Sequence, residues 1–138
     1  MPLYQTQTTS FKAELPQGIH NLLVDTIRLA LYTDQATLDE STTVYTVTNE
    51  VSGGGYTAGG VVLTGVTINS SGSTAYVSFN NPVWSPASFT SAGGLIYNAS
   101  KANRSIAVLS FGGNKTATNT FTIELPPNTV NSALLRFT

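Results

Sequence analysis

The chain has 138 residues, a formal net charge of −1 and no cysteine. That length suits one domain, residues 1–138, whose core must stand on packing and hydrogen bonds without disulfides or thiolate-bound metal. Only 9% of the residues are charged, against roughly 25% in a typical soluble protein. The basic residues Lys12, Arg28, Lys101, Arg104, Lys115 and Arg136 are scattered, which argues against nucleic-acid binding. No apolar run approaches the roughly 20 residues of a membrane span, and Met1 to Thr6 lacks the features of a signal peptide. Hydrophobic residues make up 41% of the chain and cluster in runs, unlike a disordered composition.

In chain order, Thr9–Leu15 predicts one or two helical turns, with Ser10 suited to the N-cap and Phe11 and Leu15 on one face. Pro16 and Gly18 end it. Ile19–Val24 fits a second helical turn or an edge strand. Thr26–Tyr32 alternates as a half-buried strand, with Ile27, Leu29 and Leu31 on one side and Arg28, Ala30 and Tyr32 on the other. Residues 33–43 read as a loop with a helical turn near Ala36–Leu38, and Val44–Val47 as a short strand.

Glu50 to Gly60 is glycine-rich and predicts a loop with unusual backbone angles or close chain approach. Val61–Ile68 and Ala75–Phe79 read as a hairpin closed by Asn69–Gly72. Pro82 and Pro86 break pairing around Trp84. Leu95–Tyr97 follows Gly93-Gly94 as a strand, and Ser105–Phe111 is a strand closed by Gly112-Gly113-Asn114. Thr120–Leu125 is stopped by Pro126-Pro127, and Ala133–Phe137 is the last strand. About eight short strands and a short N-terminal helical segment predict an all-β jelly roll or β-sandwich.

Sites for chemistry are sparse. The single histidine, His20, has no Gly-x-Ser-x-Gly elbow to serve. One His and no Cys exclude zinc. Asp34, Asp39 and Glu40 share a loop but match no calcium-loop spacing. The glycine-rich stretch lacks the Lys-Ser/Thr of a phosphate loop. No cofactor and no catalytic residue is expected. The aromatics Tyr32, Tyr45, Tyr56, Tyr76, Trp84 and Tyr97 suit sugar stacking, core packing or subunit contacts alike.

Several stretches resemble tailed-bacteriophage structural proteins of the capsid-decorating or cement type. They are Phe11–Leu15, Gly18–Asn21, Asp25–Thr33, Ala36–Leu38, Tyr45-Thr46 and Asn49–Gly60, with weaker echoes at Ile96–Asn98 and Phe111–Gly113. Pro16 departs from the pattern and interrupts a continuous N-terminal helix. The resemblance implies a non-enzymatic jelly-roll or sandwich domain that forms a dimer or trimer. It implies binding to the major capsid protein on the outer surface of the virion, after assembly in the host cytoplasm. A low-charge, hydroxyl-rich surface is compatible with dense packing that salt does not disturb. Interface candidates are Phe11, Leu15, His20, Glu50, Tyr56 and Trp84. The alternatives are a tail or neck component, or a carbohydrate-binding, host-recognition module.

Overall fold

The computed structural model describes Leu3, residues 5–126 and residues 133–137. Met1, Pro2, Tyr4 and Pro127 of the stretches read above lie outside the described residues. The fold is all-β and sandwich-like, with one short helix.

The strands are β1 (Thr6–Gln7), β2 (Ile27–Tyr32), β3 (Val61–Val62), β4 (Thr67–Ser71), β5 (Thr74–Ser78), β6 (Val83–Trp84), β7 (Thr90–Asn98), β8 (Arg104–Thr116), β9 (Phe121–Thr122) and β10 (Leu135–Phe137). They form a five-stranded sheet in the order β1-β8-β7-β2-β3, a three-stranded sheet β10-β5-β4 and a two-stranded ribbon β6-β9. Every ladder is antiparallel.

Apolar alternation in β2 holds, but the strand is covered on both faces rather than one. Ile27, Leu29 and Leu31 join the larger core, with Val77, Trp84, Phe121 and Leu135 from the smaller sheets. Ala30 and Tyr32 face a second cluster with Leu3, Ala36, Leu38, Leu95, Tyr97 and Val108. The segment after β2 folds back over this second face, so Ala36 and Leu38 are buried and no helical turn forms there. Residues 44–47 form no strand either; Val44 makes only an isolated bridge to Arg104.

Helix α1 spans Thr9–Glu14, and its N-cap is Thr8, not Ser10. Thr8 leaves β1 in an extended conformation, so its hydroxyl is placed to accept from the Phe11 N–H at 3.4 Å. Gly18, at φ 73°, helps turn the chain out of the helix. Ile19–Val24 is neither helix nor strand but a hydrogen-bonded turn, with the Asp25 N–H on the Asn21 carbonyl at 2.8 Å.

Two strands run through glycines that suggested turns. β7 begins at Thr90 and passes through Gly93, where a Cβ would lie 2.2 Å from the Leu109 carbonyl oxygen. The glycine is there for close approach between strands, not to end one. β8 likewise continues past Gly112-Gly113, pairing as far as Thr116 with Thr90. The hairpin also differs from expectation. β3 pairs with β2, and the chain changes sheet before β4 begins. β4 and β5 are closed by the two residues Gly72-Ser73, with Gly72 at φ 59°.

The glycine-rich segment rests on β2. Gly60 has φ 81°, and a Cβ there would meet the Leu29 carbonyl oxygen at 1.8 Å. Gly60→Ala is therefore expected to cost more than the roughly 1–2 kcal/mol of left-handed strain alone. Gly53→Ala carries only backbone strain, because nothing lies within 4 Å of its added methyl group. Urea unfolding of the two variants measures the difference. Equal losses would mean that the loop does not sit against β2.

Candidate interaction surface

Two polar clusters use most of the buried chemistry of the chain. In the first, Glu50 accepts from the Tyr45 hydroxyl at 2.6 Å, from the Tyr56 hydroxyl, and from the Gly59 N–H at 2.8 Å. Tyr56 in turn accepts from the Leu31 N–H at 2.9 Å. That amide lies beyond the part of β2 that pairs with β3, so a side chain takes the place of a strand. Tyr97 donates to the Gly59 carbonyl at 2.6 Å, and Arg28 donates to the Gly60 carbonyl at 3.0 Å. Tyr45 stacks on Tyr97 with ring centroids 4.7 Å apart. Burial, then the bond to Glu50, push the Tyr45 and Tyr56 phenols well above their ordinary pKa.

The second cluster joins the N-terminal segment to the turn between β7 and β8. Asn98, fully buried, donates from Nδ2 to Asp25 Oδ2 at 2.8 Å and to His20 Nδ1 at 3.0 Å. Its Oδ1 accepts from the Ser100 N–H. An amide nitrogen only donates, so His20 Nδ1 is the acceptor and Nε2–H donates to Glu14 at 2.7 Å. Arg104 holds the other Glu14 oxygen at 2.9 Å, and Lys101 holds Asp25 at 2.8 Å. Burial would raise both carboxyls. For Glu14, the His20 and Arg104 bonds outweigh it and lower the pKa. For Asp25, the Asn98 and Lys101 side chains and the Asn21 N–H bring it from 3.8 to about 2.

This second cluster holds the Asn21–Asp25 turn in place. The Asn21 N–H donates to Asp25 Oδ2 at 2.9 Å, and Asn21 Oδ1 accepts from the Leu23 N–H. The tip of the turn presents Leu23 and Val24 to solvent, 65% and 74% exposed. Beside it runs an apolar groove of about 440 Å³ lined in part by Leu15, Leu23, Ile68, Val77 and Phe137.

Of the six interface candidates, Phe11, His20, Tyr56 and Trp84 are buried in the chain's own packing. Phe11 sits edge-on to His20, and Trp84 packs against Phe89 and Phe121. The Trp84 indole N–H has no acceptor among the described residues. Glu50 is half-buried and spent on the loop, while Leu15 lines the groove. The exposed apolar residues Leu23, Val24 and Ile68 were not among the candidates; a paired aliphatic at a turn tip, Leu23-Val24, is the signal that marks them. Among the described residues, no three His, Asp or Glu side chains gather as metal ligands. Asp34 bonds Gln35 and Asn114 instead, and Asp39 bonds Ser41.

Comparison with protein-family models, curated proteins and solved structures finds no match.

Asp25 has a folded pKa below the ordinary 3.8 of an aspartate, so its stabilisation is present above pH 3.8 and lost as pH falls toward about 2. Asp25→Asn should lower the urea midpoint at neutral pH, and the gap to wild type should close across that window. A gap that stays constant with pH would rule out this role for the carboxylate.

Proposed function

We propose that this chain is a non-enzymatic structural protein of a tailed-phage particle. It decorates the capsid by binding the outer surface of the major capsid protein. The observation that carries this reading is where the resembling residues meet. His20 and Asn21, Asp25, and Asn98 come from separate stretches of the resemblance, and the side chains of His20, Asp25 and Asn98 meet the Asn21 N–H under one turn. That turn offers two aliphatic side chains, Leu23 and Val24, to a partner.

The mechanism is burial of apolar area. A turn held by Asn98, Asp25 and Lys101 is already ordered before contact, which lowers the entropic cost of binding. Each contact adds modest free energy, and the symmetry of a shell multiplies it. The charges beneath the turn are paired within the chain, Asp25 with Lys101 and Glu14 with Arg104, so the contact of Leu23 and Val24 should persist when salt screens ionic interactions. Trp84, 4% exposed, offers no open face for stacking a sugar, which weighs against a carbohydrate-binding module.

Mixing purified protein with purified capsid shells and sedimenting the mixture tests the reading. Co-sedimentation at a fixed ratio is expected in low salt and in about 1 M NaCl, where the screening length is near 3 Å. Leu23→Asp should weaken shell binding by about tenfold or more, the cost of losing roughly 1.4 kcal/mol at an apolar contact. Its unfolding midpoint should not change, because the side chain is exposed. Wild-type protein left at the top of the gradient would contradict the capsid assignment and leave a tail, neck or host-recognition role to test.

A further inference from the structure

The longest edge strand among the described residues is β4. The edges of the five-stranded sheet are β1 and β3, two residues each, and the far edge of the smaller sheet is β10, three residues. β4 has five residues, all exposed. Proteins usually protect such an edge with a charge, a proline or a bulge. Thr67-Ile68-Asn69-Ser70-Ser71 has no charge and no proline, and its ladder with β5 runs without a register shift.

The direction of the free backbone groups follows from the turn. Ser71 pairs with Thr74 across a two-residue connection, so these two exchange both hydrogen bonds. By alternation, Thr67, Asn69 and Ser71 point their N–H and C=O groups at β5. Ile68 and Ser70 point theirs outward, away from the sheet.

We propose that β4 is a self-association edge, occupied by β4 of a second copy in antiparallel, two-fold pairing. The two-fold passes beside Asn69, so that Ile68 of each copy exchanges both backbone bonds with Ser70 of the other. This register sets Thr67 across from Ser71 and Asn69 across from Asn69, hydroxyl facing hydroxyl and amide facing amide. Such polar cross-strand pairs stabilise a ladder.

Charge favours a second copy over an unlike partner. From Val51 through Ser100 the sequence has no Asp, Glu, Lys, Arg or His, so β3 to β7 carry no ionisable charge. A two-fold axis brings every residue near its own kind, which is costly for charges and free of penalty here. The apolar layer also continues across the edge. Ile68 lies on the same face as buried Val77 but remains 44% exposed at the margin of the core. Pairing β4 with β4 joins two three-stranded sheets into one of six and covers that margin. Leu23 of the tip and Ile68 of the edge line one groove, but the inference does not rest on the capsid reading.

Sedimentation equilibrium of the full chain without shells, from low micromolar to hundreds of micromolar, is the test. Wild type should reach twice the chain mass. Its Ile68 and Ser70 amides should exchange with solvent more slowly as concentration rises. Ser70→Pro removes an outward N–H that the monomer does not use, and should give a monomer with an unchanged far-ultraviolet spectrum. Ser70→Lys keeps the backbone donor and should weaken the dimer at least tenfold by placing a charge at the joint of each copy. A wild type that stays monomeric, or a dimer that both variants leave intact, would overturn the proposal. A monomeric variant that still co-sediments with shells would uphold both readings and show them to be independent.

Discussion

The carboxylate of Glu50 holds two tyrosine hydroxyls and the Gly59 amide at once, and much of the fold depends on that grip. The five-stranded sheet is buried on both faces, so two coverings are needed. The smaller sheets supply most of one, joined by Val51 and Tyr56, and Leu3, Ala36, Leu38 and Tyr45 supply the other, while the segment from Thr33 to Gly60 also closes the edge of β2. That segment has little regular structure to hold it. It is fastened instead by Val51 N–H on the Leu31 carbonyl, by Tyr56 on the Leu31 amide, and by Glu50 on both tyrosines. Gly60 lets the backbone come close to Leu29 of β2, and Gly54 and Gly55 let it come close to Pro86 and Ser88.

The same economy explains the surface. With so few ionisable groups, three of the seven acidic side chains are committed to internal positions. Glu14 and Asp25 order the N-terminal segment, and Glu50 orders the glycine-rich loop. Contacts with other molecules then fall to aliphatic side chains and backbone edges. Leu23-Val24 and β4 are two places where such groups are offered in an ordered frame. Both would make contacts of low ionic character.

The alternating pattern of β2 was legible because period-2 burial leaves a direct trace in residue order, and the all-β class followed from many such short runs. The second covering of that strand was not, since it depends on a distant loop. Gly93 and Gly112 read as turn signals because glycine has two uses, and only the tertiary partner separates them: for Gly93 it is the Leu109 carbonyl on the neighbouring strand. The N-cap fell on Thr8 rather than Ser10 because the end of β1 fixes the extended backbone a cap requires. Aromatic residues serve a core or an interface equally, so Phe11, Tyr56 and Trp84 could not be assigned by type, and the structure packs all three inside. Leu23 and Val24 are small aliphatics in a segment without clear periodicity, and their exposure follows from the Asn21–Asp25 turn.

Amide hydrogen exchange of the isolated chain tests the anchoring by Glu50 most directly. The Gly59 and Leu31 amides, which donate to Glu50 and Tyr56, should exchange only through global unfolding, as slowly as the paired amides of β2 and β7. Exchange of Gly59 at the rate of a loop amide such as Gly53, with β2 and β7 still protected, would contradict it. The glycine-rich segment would then be a loosely attached loop, and the edge of β2 beyond β3 would need another partner.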